Sequence, residues 1–199
     1  MWKKLTGSVL IVMAALLFAG LMPVHGEDEI YDAVIRLHVL ANSDTAEDQA
    51  LKLEVRDAVL EVTAPLLEGC TDRAEAAALL ESSMGDIQAA AEQVIADAGR
   101  DDPVALLLGE ESYPEKDYDS FCFPAGSYLS LRVCIGEAAG QNWWCCLFPP
   151  LCLGAASVPA DEAEESFLEV GLTPEQYKII TETDNPGYKI RFKLLELFE

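Results

Sequence analysis

The chain has 199 residues, with 35 Asp and Glu against 13 Lys and Arg, a net charge of -22 and 51% hydrophobic residues. This length suits one domain with extensions, and the apolar half is enough to bury a core, which excludes full disorder. The acidic surplus argues against nucleic acid and anionic lipid, both of which need a cationic surface.

Lys3 and Lys4 precede an apolar run from Ser8 to Met22, and Val24-His25-Gly26 offers a small residue before Glu27. Residues 1–26 thus have the form of a secretory signal cleaved near Gly26 or, left uncleaved, of an N-terminal membrane anchor. Either form exports the body. Outside the cytosol the six cysteines, Cys70, Cys122, Cys134, Cys145, Cys146 and Cys152, can pair as disulfides; otherwise they are small buried hydrophobes. None forms a CxxC pair, and the exported part holds one histidine, His38, so no metal site is expected.

Ile35, Leu37 and Val39 alternate with Arg36 and His38, which predicts a strand with one buried face and puts His38 on the other. Asp44 with Glu47 reads as a capping pair. Leu51, Val55, Ala58, Val59, Val62 and Leu66 then fall at helical spacing and give an amphipathic helix. A second helix is expected from Asp72, with Leu80, Met84, Ile87, Ala91, Val94, Ile95 and Ala98 on one stripe and Gly99 as its C-terminal cap. Val104–Leu108 reads as a buried strand and residues 110–120 as a polar loop.

Two further alternating runs, from Ser127 to Gly136 and from Asn142 to Phe148, predict a hairpin with its loop at 136–142. One face is then apolar throughout, with Leu129, Leu131, Val133, Ile135, Trp143, Cys145 and Leu147. The other is mixed, with Ser130, Arg132, Cys134, Trp144, Cys146 and Phe148. Residues 161–175 carry six acids and no base and read as solvated. Thr173-Pro174-Glu175-Gln176 starts a short helix, Asn185-Pro186-Gly187 turns, and Lys189, Arg191 and Lys193 alternate with Ile190, Phe192 and Leu194 in a last strand. The fold class is α+β, a small antiparallel sheet packed against two amphipathic helices.

Little of this points to catalysis. A Cys145/His38 dyad is arithmetically possible, but the hairpin places Cys145 on the apolar face, where burial makes a thiol inert. A catalytic carboxylate pair cannot be diagnosed among 35 acids. The sequence has no GxGxxG, P-loop or HExxH motif, and no cofactor is expected.

The segments Ile35–Asp44 (IRLHVLANSD), Glu47–Lys52 (EDQALK) with Val55–Val59 (VRDAV), Phe123–Tyr128 (FPAGSY), Gly140–Cys145 (GQNWWC) and Phe148–Cys152 (FPPLC) together closely resemble the stage II sporulation protein R family of endospore-forming bacteria. The likeness runs in order from about residue 34 to 153. It implies a signalling protein rather than an enzyme, with no small-molecule substrate. Such a protein is made in the forespore, exported into the space between the septal membranes, and needed there to activate a membrane-embedded aspartic protease that processes a mother-cell pro-sigma factor. Cys146 stands where the family pattern leads us to expect an aliphatic residue. The expected organisation is 1–26 as signal or anchor, 27–153 as the family-like domain, and 154–199 as an acidic segment, short helix and final strand completing it. Cys145 and Cys152 match family positions and are either a disulfide, which demands a chain reversal at Pro149-Pro150, or two reduced thiols. The mixed face, with Arg132, Trp144 and Phe148 and with Asn142 leading the strand, is either the partner-binding surface, because aromatics beside an arginine compose an interaction hot spot, or a second buried face covered by the final strand or the segment after Pro150. The small exported hydrolase using Cys145/His38 or a carboxylate pair is the alternative.

Overall fold

The computed structural model describes residues 27–117, 121–149 and 172–181, with the short pieces 23–24, 168 and 189–190. In chain order the elements are β1 (Pro23–Val24), α1 (Glu27–Tyr31), β2 (Ile35–Leu40), α2 (Ala46–Leu67), α3 (Arg73–Ser82), α4 (Met84–Asp97), β3 (Val104–Tyr113), β4 (Lys116–Asp117), β5 (Cys122–Phe123), β6 (Gly126–Ile135), β7 (Asn142–Phe148), α5 (Pro174–Thr181) and β8 (Lys189–Ile190). The fold is α+β, as the pattern of elements predicts. Residues 161–171 apart from Leu168, the Asn185–Gly187 turn, the last strand beyond Ile190, Cys152 and the export signal apart from Pro23–Val24 lie outside the described residues. Among the described residues no helix is long and apolar enough to cross a membrane.

Local chemistry sets the helix ends. The cap of α2 is Thr45 rather than Asp44: its hydroxyl accepts from the Asp48 amide at 3.2 Å, whereas Asp44 accepts from the Gln141 amide at 2.7 Å. Asp72 caps α3 as expected, accepting from the Glu75 amide at 2.9 Å. The single helix expected from there is two, α3 and α4, because Ser83 has non-helical dihedrals (φ -105°, ψ 7°) where Ser82, Ser83 and Gly85 weaken helix propensity. Gly99, at φ +71°, ends α4 in the left-handed conformation that favours glycine. At α5, Thr173 and Gln176 exchange amide and side-chain bonds of 2.9 and 3.2 Å ahead of the proline-led helix.

The main sheet has the order β3-β6-β2-β7. The expected β6–β7 hairpin does not form, because β2 lies between them, parallel to β6 and antiparallel to β7. The sheet is therefore mostly antiparallel with one parallel pair. Leu37 stands opposite Leu131 on one side and Cys145 on the other, and Val39 opposite Val133 and Trp143. A strand inserted in phase leaves each residue on the face that alternation assigns it. Phe148 is the exception: a register shift between Ile35 and Arg36 sets it against Ile35 and puts it in the helix-side core rather than on the mixed face. The segment expected as a polar loop holds the end of β3, to Tyr113, and β4, which pairs with β5.

Two cores result. On one face Ile35, Leu37, Val39, Leu131, Val133, Ile135, Cys145 and Leu147 pack under Leu51, Val55 and Val59 of α2 and Leu80, Ile87, Ala91 and Ile95 of α3 and α4. Each fully buried aliphatic side chain there contributes about 1.5–3 kcal/mol. On the other face Tyr113, Tyr128 and Cys146 lie under Ile30 of α1, under Phe121, Phe123 and Leu172, and under Ile180 of α5.

Candidate functional site

The second core covers half of the mixed face. Two cross-strand rows at the other end of the sheet are more open: Leu107–Arg132–His38–Trp144 and Ala105–Cys134–Leu40–Asn142. Leu107 is 53% exposed, the Arg132 side chain 39%, and Asn142 is exposed, while His38 at the centre is buried.

His38 is held on both sides, with Nδ1 2.9 Å from Glu111 Oε1 and Nε2 2.8 Å from Asn142 Oδ1. Glu111 reaches across β6 to make that contact, and Arg132 Nη1 donates to the same carboxylate oxygen at 3.4 Å. Burial alone raises the Glu111 pKa, but the His38 hydrogen bond and charge, helped by Ser130 and Arg132, outweigh it and hold the carboxyl below its usual value. The Trp144 ring meets His38 edge-on at 5.6 Å and Tyr113 at 5.8 Å. Arg36, fully buried one turn of the pleat away, donates to the Cys145 carbonyl at 3.1 Å and lies 4.4 Å from the Phe123 ring centre and 4.8 Å from that of Tyr113. Tyr113 shares a 2.6 Å hydrogen bond with Ser130, and burial pushes its phenol well above the ordinary value.

Of the residues expected to form the recognition face, Arg132, Asn142 and Trp144 come together around His38, and Phe148 does not. Glu111 escapes a sequence reading because its segment looks like a loop. The signal that would have found it is the alternation of β3 carried on past Gly109, which puts Glu111 on the face of Leu107.

A Cys145/His38 dyad is ruled out by geometry. Cys145 faces the helix-side core and takes part in a disulfide, while His38 faces the opposite way. Cys70, Cys122, Cys134 and Cys146 are thiols, and Cys152 is the remaining cysteine of the chain. The ligand atoms of Glu115, Asp117 and Cys122 lie within 4.8 Å of one another, with both carboxylates on exposed residues, and burial first, and Asp117 second, push the Cys122 thiol up to about 12.

The sequence strings quoted above have mostly structural work. Asn42, Ser43 and Asp48 form a knot at the start of α2: Asn42 Nδ2 donates to Asp48 at 3.0 Å, Ser43 donates to the same oxygen, and Arg100 pairs with the other. The 136–141 loop binds onto this knot, with the Glu137 amide on Asn42 Oδ1 at 3.0 Å, the Gly140 amide on the Ala41 carbonyl at 3.0 Å, and Lys52 Nζ on the Gln141 carbonyl at 3.0 Å. A Cβ at Gly136 would collide with Asn42, and one at Gly140 with the Ser43 backbone. At the other end of the sheet the Tyr31 ring occupies the space of a Cβ at Gly126, its hydroxyl donates to the Ala125 carbonyl at 2.9 Å, and Tyr128 donates to the Pro124 carbonyl at 2.6 Å.

A family model described as stage II sporulation protein R matches residues 31–157, more than half of the chain. The chain belongs to the stage II sporulation protein R family. The stage II sporulation protein R of Bacillus subtilis (strain 168) is 37% identical over 123 residues, which are 62% of this chain and 55% of that protein. The chain thus spans about half the length of this curated relative. No solved structure matches. The family region contains the whole four-stranded sheet and α2 to α4, whereas α5, which closes the second core, lies beyond it.

Proposed function

We propose that this chain is an exported signal of sporulation that activates a membrane-embedded aspartic protease, which then removes the pro-sequence of a mother-cell sigma factor. The observation that carries this reading is the family match across the sheet and its helical layer. The chain is made in the forespore, and residues 1–26 take it into the space between the septal membranes, where it stays secreted or anchored. It acts as a ligand, not an enzyme, and contacts the protease through the open half of the mixed face, with Arg132, Asn142 and Trp144. A ligand needs a rigid framework and a surface, and the knot at Asn42, Ser43 and Asp48 supplies rigidity beside that face.

The test is co-expression with the protease and its pro-sigma substrate in a host that does not sporulate. Processing should depend on this chain and survive His38→Gln. Processing without this chain would overturn the activator reading, and processing abolished by His38→Gln in a folded protein that still binds the protease would turn it toward catalysis.

A further inference from the structure

We propose that the outer edge of β3 is a docking site for an extended segment of a partner protein, one with an apolar middle and basic ends, that adds to the sheet as a fifth strand. The proposal rests on the reading that this chain works by binding another protein.

β3 is ten residues long and, among the described residues, pairs only with β6. Alternate N–H and C=O groups along its other side therefore point away from the sheet. Proteins usually blunt such an edge with charge, proline or shortness. The stretch Val104–Gly109 uses none of these, having neither charge nor proline. Leu107 at its middle is the most exposed large hydrophobic side chain among the described residues, Ala105 is also exposed, and a Cβ at Gly109 would meet nothing within 4 Å. An incoming strand finds an apolar track with open space above it.

Charge at the two ends selects the occupant. Asp101 is exposed before the strand, where Arg100 is taken up by Asp48 and Asp102. Glu110, Glu115 and Asp117 are exposed toward and beyond its end, with Arg73 3.9 Å from Glu110 and Lys116 between the other two. Both ends keep an acidic surplus, so an apolar segment with basic ends meets opposite charge at both. A second copy of this chain does not. In a two-fold antiparallel pairing about Leu107, the end carrying the exposed Asp101 lies toward the end carrying the exposed Glu110, and like charges across strands oppose pairing. In the form that keeps residues 23–24, the basic strand of this chain, β8, pairs with β1. An added strand would also lengthen the row Leu107–Arg132–His38–Trp144, making edge and face one continuous surface.

The probe is a synthetic peptide of alternating valine and threonine with two lysines at each end, added to the full chain while amide exchange is followed. The expected result is slower exchange in Val104–Gly109, weakened by salt, absent for a peptide ending in glutamates, and absent in Leu107→Lys. Leu107→Lys, checked for an unchanged Tm, should also lower processing in the co-expression assay by at least about tenfold, and Ala105→Lys should do the same. The proposal is overturned if the basic peptide leaves exchange unchanged, if the acidic peptide protects equally, or if the β3 edge is already protected without a probe, by this chain or by a concentration-dependent dimer. It is overturned equally if both lysine variants process normally. Should the unaltered chain fail to support processing, the functional reading falls, and the exchange experiment still decides the edge.

Discussion

Asp48 shows how much one carboxylate can organise. Its two oxygens accept from Ser43, Asn42 and Arg100, and these bonds, that of Ser43 first, hold its pKa near 2 against an ordinary 3.8. A carboxyl with a lowered folded pKa contributes stability that is fully present above the unfolded value and is lost as pH falls through the folded one. Urea midpoints measured against pH should therefore fall between about pH 4 and pH 2, and Asp48→Asn should be less stable at neutral pH with that acid limb flattened. An unchanged acid limb in Asp48→Asn would mean that the knot does not depend on this charge.

At the scale of an element, β7 joins the helix-side core to the mixed face through alternate residues. Trp144 is half-buried against His38 and Tyr113, so Trp144→Ala should cost about 2–4 kcal/mol, in the range of other truncated core aromatics. Arg132 is partly exposed and bonded only weakly to Glu111, so Arg132→Ala should stay within about 1 kcal/mol. Thermal unfolding of the two variants separates a half-buried residue, which packs with one part of its ring and leaves the rest for contact, from a more exposed one, and equal losses would refute the division. The sequence predicts the face of nearly every residue in β2, β6 and β7, because alternation is a property of each strand by itself. It does not predict that β2 separates β6 from β7, since strands with matching phase can be neighbours in either order and keep the same faces. The same limit hides the His38–Glu111 contact, which exists only because β3 and β2 flank β6. Phe148 fails for a local reason, a register shift that alternation cannot register. The cap of α2 is missed by one residue because both Asp44 and Thr45 are competent acceptors, and the loop at Gln141 takes the first.

Across the whole molecule the cysteines divide by environment. Burial pushes the Cys122 and Cys146 thiols up to about 12, and the more accessible Cys70 and Cys134 are raised as well, with burial first in each case. Native alkylation should mark Cys70 and Cys134 before the other two, which should react only on unfolding. Non-reducing peptide mapping should return one disulfide, joining Cys145 to Cys152. Finding Cys145 alkylated without reduction would exclude that link.

The position of β2 has a consequence for how the chain comes to exist. The strand at the middle of the sheet is synthesised first, and both strands that flank it come only after the entire helical layer. A chain that emerges from a ribosome or a translocation channel N-terminus first must carry this apolar strand with both edges open while α2, α3 and α4 form. Contacts of such sequence separation are slow to close, because loop entropy is lost before pairing offsets it. Translation that stops short of β6 leaves a core strand with no sheet to join, a ready target for proteolysis. Limited digestion of a chain ending at residue 125 should show no protected β2 fragment, in contrast to the full chain, so that only a completed polypeptide persists.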